Sequence, residues 1–237
     1  MSNDAPRVVS LVPSMTETLL AWGVLPIACT RFCEQPGLPH VGGTKDPDVA
    51  AIAALAPDVV LMDREENRRE DAEALAAAGL VVHATHVTSF EAVAEQLQHV
   101  RARLGLAALP APESPPAPAF TGPRRTAFIA IWRRPWMTCS GGTYGSSLLE
   151  SIGIDNVYAG AETGYPQVTL AEVAERHAAL VLLPSEPYPF AARHVDEIRR
   201  ALPAADVRCI DGQDLFWWGA RSDAARTRLA QSLRSDA

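Results

Sequence analysis

Apolar positions fall in short unbroken blocks along this chain rather than in strict alternation. Arg7–Val12, Ile27–Cys29, Val59–Met62 and Leu80–Ala84 are such blocks, the length and pattern of strands buried on both faces of a parallel sheet. Helical punctuation separates them. Ser14-Met15-Thr16-Glu17 reads as a capping box with Ser14 as the cap, ahead of Leu19, Leu20 and Trp22, and Gly23 ends that helix. Asp48–Leu55 predicts a short helix closed by Pro57, and Asp71–Ala78 a helix stopped by Gly79. From Ser89 to Leu104, the residues Phe90, Val93, Leu97, Val100 and Leu104 recur at helical spacing. A proline-rich stretch follows, from Pro110 through Pro112, Pro115, Pro116 and Pro118 to Pro123, which reads as an extended linker.

The second half repeats the plan. Thr126–Ile131, Asn156–Tyr158, Leu180–Leu183 and Val207–Ile210 predict strands. Gly145–Ser151, Leu170–Glu175, His194–Ala201 and Ser222–Leu233 predict helices between and after them. The expected organisation is an N-terminal α/β lobe over residues 1–88, a bridging helix and linker over 89–123, and a C-terminal α/β lobe over 124–237.

Composition narrows the partners. Hydrophobic residues make up 48% of the 237 and charged residues 21%, a globular balance. The net charge of −7 argues against a nucleic-acid surface. No apolar run approaches the roughly 20 residues of a membrane-spanning helix. Met1–Pro6 lacks the pattern of a secretory signal, so a cytoplasmic location is expected, with Cys29, Cys33, Cys139 and Cys209 as free thiols. A monomer is the expectation.

Candidate chemistry gathers on the loops that leave the C-terminal ends of the strands, where parallel sheets bind ligands. Trp132, Trp136, Trp217 and Trp218 lie there, with Tyr144, Tyr165, Tyr188, Phe190 and Phe216. Rigid aromatic faces suit a flat, partly apolar ligand. Arg31, Arg133, Arg134 and Arg221 share these loops, and Arg133 or Arg221 is expected to hold a ligand anion. Ser140-Gly141-Gly142-Thr143 could offer backbone N–H groups to an anion. His83 and His86 are weak candidates as metal ligands; no metal or cofactor is required by the sequence. An acid–base site would draw on Glu186, Asp211 and Arg221, but no catalytic fingerprint accompanies them, and a non-enzymatic role is expected. The alternatives left open are an enzyme in the same cleft and an interaction protein without a pocket.

Three segments carry a family resemblance: Arg7–Glu17 (RVVSLVPSMTE), Leu55–Leu61 (LAPDVVL) and Tyr165–Thr169 (YPQVT). They resemble, in order and spacing, the class III substrate-binding proteins of ABC importers, which take vitamin B12 and iron–siderophores. Trp132–Thr138, Leu183–Phe190, Asp211-Gly212 and Trp218–Arg221 are similar to a leaderless subgroup described as helical-backbone metal receptors. The resemblance implies two Rossmann-like lobes joined by a helical backbone, with a corrinoid, other tetrapyrrole such as haem, or iron chelate held in a cleft between them. It implies Phe32 and Tyr165 as cleft aromatics, with Thr44 where a second tryptophan would stand. The ligand-binding set expected is Phe32, Trp132, Arg133, Trp136, Tyr165, Trp218 and Arg221. Importer docking does not carry over. The positions of the docking acids hold Arg69 and Ala171, with Glu70 and Glu172 one place later, a rotation of about 100° on a helix.

Overall fold

Two parallel sheets of identical strand order organise the chain, each with its own core. The computed structural model describes residues 6–108 and 120–234; the prolines from Pro110 to Pro118 and most of the Met1–Pro6 segment lie outside the described residues. By contact the chain divides into two units. The first comprises residues 6–87, 92–108 and 218–220, and the second 88–91, 120–217 and 221–234.

In the first unit β1 (Val8–Ser10) leads into α1 (Pro13–Ala21), followed by β2 (Ala28–Cys29), α2 (Val49–Ala54), β3 (Val59–Asp63), α3 (Arg69–Ala77), β4 (Val82–Thr85) and α4 (Val93–Arg103). The strands pair in parallel in the order β2-β1-β3-β4, with Val9 opposite Ala28 and Val60. Every residue of β3 is buried, the apolar run Val59–Met62 as its pattern requires and Asp63 at its end as well. Ile52 of α2 and Leu75 of α3 close over Val9, Leu11, Val60 and Met62.

Helix α1 begins differently from the expectation. Val12, not Ser14, is the N-cap, and Pro13 takes the first helical position. Proline fits there because its fixed φ suits the helix and its missing N–H would have had no partner. Ser14 is buried inside the first turn. Asp48, by contrast, does cap α2, accepting from the Ala51 N–H at 2.9 Å. Helix α4 groups with the first unit rather than standing apart as a bridge, and three residues from near the C-terminus, Trp218–Ala220, also belong to this unit.

That insertion fixes the reason for Gly219. Its φ is +141°, and a Cβ there would stand 2.1 Å from Thr18 Oγ1. The same hydroxyl donates to the Ser14 carbonyl at 2.8 Å and accepts the Ala220 N–H at 3.1 Å. Only glycine allows the segment to come this close to α1.

The second unit runs β5 (Arg125–Ile129), β6 (Trp136–Met137), α5 (Tyr144–Glu150), β7 (Ile154–Asn156), β8 (Gln167–Val168), α6 (Leu170–Glu175), β9 (Leu180–Pro184), α7 (Ala192–Ala201), β10 (Asp206–Ile210), α8 (Gly212–Phe216) and α9 (Ser222–Ser232). Its parallel sheet is ordered β10-β9-β5-β7. Taken in chain order this is the first sheet's arrangement again, with the first strand beside both the second and the third. Phe128, Val181, Leu183, Ile198 and Val207 form its core. Strands β6 and β8 form a separate antiparallel ribbon, with Trp136 opposite Val168.

Candidate functional site

In each sheet the chain order reverses between the first and third strands. At such a switch point, loops leave in opposite directions and open a crevice at the strands' C-terminal ends. In the second unit this point lies between β5 and β9, and the loops leaving it carry Trp132 and Trp136 on one side and Tyr188 and Phe190 on the other.

Their geometry is specific. The Trp136 ring stacks on Phe190, centroids 5.8 Å apart and planes 3° from parallel. Trp132 meets Tyr188 edge to face at 5.4 Å, and Tyr188 lies 4.6 Å from Phe190. His194 of α7 stands behind both, its ring 5.6 Å from Tyr188 and 5.4 Å from Phe190. Each such pair adds about 0.5–1.5 kcal/mol beyond its buried area, so the four rings hold one another in place. Trp132 remains 43% exposed, the outermost ring of the cluster.

Short backbone links position these rings. The Met137 N–H donates to the Trp132 carbonyl at 3.1 Å and the Ile131 N–H to the Met137 carbonyl at 3.0 Å, closing a tight turn with Arg133, Arg134 and Pro135 at its tip. Across the ribbon, the Thr138 N–H donates to the Pro166 carbonyl at 3.1 Å, which ties Tyr165, itself exposed, to the strand carrying Trp136. His194 sets the start of α7: its Nδ1 accepts the Ala191 N–H at 3.0 Å, satisfying a donor the helix leaves open. Burial, then the cations of Arg193 and Arg133, hold His194 below its ordinary pKa, which suits an imidazole nitrogen acting as acceptor.

The expected cations fare differently. Arg133 is committed to Glu197, with Nη2 and Nε at 2.6 and 3.0 Å from one carboxylate oxygen. Arg221 packs over the Trp217 ring at 5.2 Å and faces Asp214 at 3.7 Å. Asp214 also takes both arms of Arg228 at 2.6 and 2.7 Å. Trp218 is buried, 5% exposed, and belongs to the first unit's packing rather than to a ligand surface. The Ser140–Thr143 turn offers less than expected, because the Ser140 and Gly141 N–H groups already donate to the Gly164 and Ala159 carbonyls. Thr143 spends its hydroxyl on the Ser140 carbonyl at 2.9 Å.

Of the acid–base set, Asp211 is taken up structurally. Asp211 caps α8, its Oδ1 accepting from the Gln213 and Asp214 N–H groups. His83 lies within β4, and His86 faces Glu65 at 3.7 Å. Among the described residues, no three His, Cys, Asp or Glu side chains are grouped to hold a metal ion. Nor is any described helix long and apolar enough to cross a membrane.

At the first unit's corresponding switch point, between β1 and β3, one buried amide links the strand ends. Asn67, 6% exposed, accepts the Asp63 N–H at 2.8 Å and donates to the Leu11 and Thr44 carbonyls at 3.1 and 2.9 Å. Beside it Asp63 is buried and its carboxyl is raised above the ordinary range by that burial, although the Thr85 hydroxyl donates to it at 2.7 Å. Phe32 projects from the turn after β2, 53% exposed, under the Arg31 guanidinium. Arg31 itself pairs with Asp46 at 3.0 Å. At the first position expected for a docking acid, Arg69 pairs with Glu73 at 2.8 Å; at the second stands Ala171, and Glu172, one place later, closes the capping box of α6.

Two surface depressions lie on other residues. One of about 540 Å³ is lined by Tyr158, Gln167, Glu172 and Arg176, and one of about 440 Å³ by Asp63, Asn67, Arg68 and Arg69. Neither is lined by Trp132, Trp136, Tyr188 or Phe190.

No family model matches the chain. It is 24% identical over 197 residues to the vitamin B12-binding protein of Salmonella typhimurium, spanning 76% of this chain and 72% of that protein. The fold matches the periplasmic vitamin B12 binding protein BtuF of Vibrio cholerae with a TM-score of 0.73 at 17% identity, covering 96% of each chain. It matches the periplasmic heme-binding protein RhuT from Roseiflexus sp. RS-1 with a TM-score of 0.76 at 17% identity, covering 97% of this chain and 98% of that one. These are binding proteins, not enzymes. In sequence the chain is similar to vitamin B12-binding proteins, and its fold, two parallel α/β units, is that of periplasmic binding proteins for vitamin B12 and heme.

Proposed function

We propose that this ligand-binding protein takes a flat, largely apolar metal chelate: a corrinoid, haem or another tetrapyrrole, or an iron chelate. The observation that carries the reading is the aromatic face at the second sheet's switch point. Trp132 is held edge-on by Tyr188, and the pair Trp136–Phe190 is stacked beneath it. A protein needing only a stable core gains little from leaving a tryptophan 43% exposed at the place where parallel sheets bind ligands. The B12- and haem-binding neighbours support the class of ligand. Binding and handing over such a molecule requires no acid–base group on the face, in keeping with the structural commitments of Asp211 and Asp214.

The test is titration of the protein with cobalamin, haem and a ferric siderophore, followed by tryptophan fluorescence and confirmed by calorimetry. At least one should bind saturably at micromolar concentration or below. Trp132→Ala should weaken that binding by about tenfold or more, the usual effect of removing a central aromatic anchor. Absence of binding to all three at micromolar concentration would refute the proposal.

A further inference from the structure

The turn between Trp132 and Trp136 carries two adjacent arginines whose situations differ. Arg133 is locked by Glu197, its two nitrogens 2.6 and 3.0 Å from one carboxylate oxygen. Arg31 and Arg221, the other arginines of the strand-end loops singled out by sequence, face Asp46 and Asp214. Arg134 is exposed, and among the described residues it enters no hydrogen bond, ion pair or ring contact. Its backbone is unusual as well: φ is +68°, in the left-handed region. An arginine there costs on the order of 1–2 kcal/mol in backbone strain that glycine would escape and asparagine would largely escape. A strained position holding a long, charged, unpaired side chain at the tip of a turn between two ring-bearing residues is a poor choice for stability. Strain of this kind gathers where function requires the side chain.

We propose that Arg134 is the anion contact of the aromatic face and sets its specificity: the site selects ligands with an oxyanion beside a flat apolar ring system. Arg133 is a positioning residue. It fixes the turn to α7 through Glu197 and leaves the ligand's charge to its neighbour. This inference rests on the ligand class proposed above and adds a residue and a charge requirement to it. A guanidinium can take a carboxylate or a phosphate equally well, so the source of the oxyanion has to be separated by experiment.

Two ligand pairs make that separation: haem against its dimethyl ester, which lacks the free carboxylates, and cobalamin against cobinamide, which lacks the phosphate. Affinities are measured by calorimetry for the unaltered protein, Arg134→Asn and Arg133→Gln. The unaltered protein should prefer the anionic member of at least one pair by about tenfold or more, the usual size of a charge-assisted contact. A preference in the haem pair identifies a carboxylate; one in the cobalamin pair, whose members differ by the whole nucleotide loop, identifies a phosphate only where Arg134→Asn removes it. Arg134→Asn should abolish the preference while leaving the thermal midpoint unchanged or higher, since asparagine tolerates the left-handed backbone. Arg133→Gln should keep the preference and lower the midpoint, because Glu197 loses its partner. Binding without a charge preference, or a preference that survives Arg134→Asn, would overturn the inference and leave the ligand class standing. Binding of none of the four would overturn this inference, and the ligand class would fall with it only if the ferric siderophore also failed to bind.

Discussion

Replacing Asn67 by alanine tests whether the first unit's switch point is held by one side chain. Asn67 makes three hydrogen bonds, at 2.8, 3.1 and 2.9 Å, to the backbone of Asp63, Leu11 and Thr44. Asp63 ends β3, and Leu11 and Thr44 lie on the segments after β1 and β2, so one amide ties three strand ends together. Each bond contributes about 1 kcal/mol net, and the backbone groups left behind in a buried site cost a similar amount or more. The expected loss for Asn67→Ala is therefore about 3 kcal/mol, or roughly 6–12 °C in Tm for a chain of this size. Urea denaturation, read by the far-ultraviolet signal, gives the free energy directly. A loss below about 0.5 kcal/mol, the size typical of surface changes, would refute the reasoning. Asn67→Asp sharpens the test. It keeps the acceptor for the Asp63 N–H but turns an oxygen towards the Leu11 and Thr44 carbonyls in place of the donor. Burial and those carbonyls disfavour the ionised carboxyl, so its pKa is raised in the folded state. The variant should lie nearest the unaltered protein below about pH 4 and fall further behind as pH rises through the raised value. A pH-independent gap would contradict this account.

Other perturbations probe separate parts of the structure. His194 is held below its ordinary pKa by burial and then by Arg193 and Arg133, so its contribution to stability is present above about pH 6.5 and lost as pH falls through the lower folded value. The difference in stability between His194→Gln and the unaltered protein should therefore shrink on acidification; a constant difference from pH 7.5 to 5 would count against it. Gly219→Ala would drive a methyl group into Thr18 Oγ1 and should cost about 1–3 kcal/mol, with calorimetric scanning as the check; an unchanged Tm would mean that the Trp218–Ala220 segment tolerates displacement. Hydrogen bonds from Arg124 hold the Asp155 carboxyl below the usual range, so this pair's contribution is complete above about pH 3.9 and disappears as pH falls through the lower folded value. Carboxyl NMR titration of Asp155 should show an upward shift in Arg124→Gln, and no shift would dismiss the pairing as an electrostatic contact.

Strands β1, β3, β5 and β9 were legible because buried parallel strands leave apolar runs, whereas β7 ends at Asn156, where the expected strand Asn156–Tyr158 began; helix α6 is bounded at Leu170 and Glu175 as expected, with Thr169 and Glu172 forming its capping box. The same signal misled at Ser14, where a proline one place earlier had the stronger claim to open the helix. The β6–β8 ribbon was missed because two residues per strand are too few to show a period. The loop aromatics could be named from sequence because their type and position were informative by themselves. The fate of the arginines could not. Whether Arg133 faces a ligand or a carboxylate depends on Glu197, 64 positions away, and nothing local encodes that meeting. Asn67 carried no signal either, since a lone buried amide is recognisable only from the three carbonyl and N–H groups the fold brings to it.

The contrast between the two switch points bears on why the proposed binding face lies in the second unit. Both sheets have the same order, so both geometries open a crevice between the first and third strands. In the first unit the crevice is crossed by the Asn67 amide, a structural joint whose three hydrogen bonds go to the backbone of Asp63, Leu11 and Thr44. In the second unit it is faced with rings whose inner members, Trp136 and Phe190, stack on each other while the outer one, Trp132, stays partly in water. A satisfied hydrogen-bond joint has nothing to gain from a ligand, because any newcomer must first break bonds of equal quality. A half-exposed aromatic face gains in proportion to the apolar area a ligand covers, about 25 cal/mol per Å², and its supporting rings are already fixed, so little ordering is required on contact. The sequence difference that decides between the two is small: an asparagine after β3 in one unit, and tryptophans after β5 with Tyr188 and Phe190 after β9 in the other.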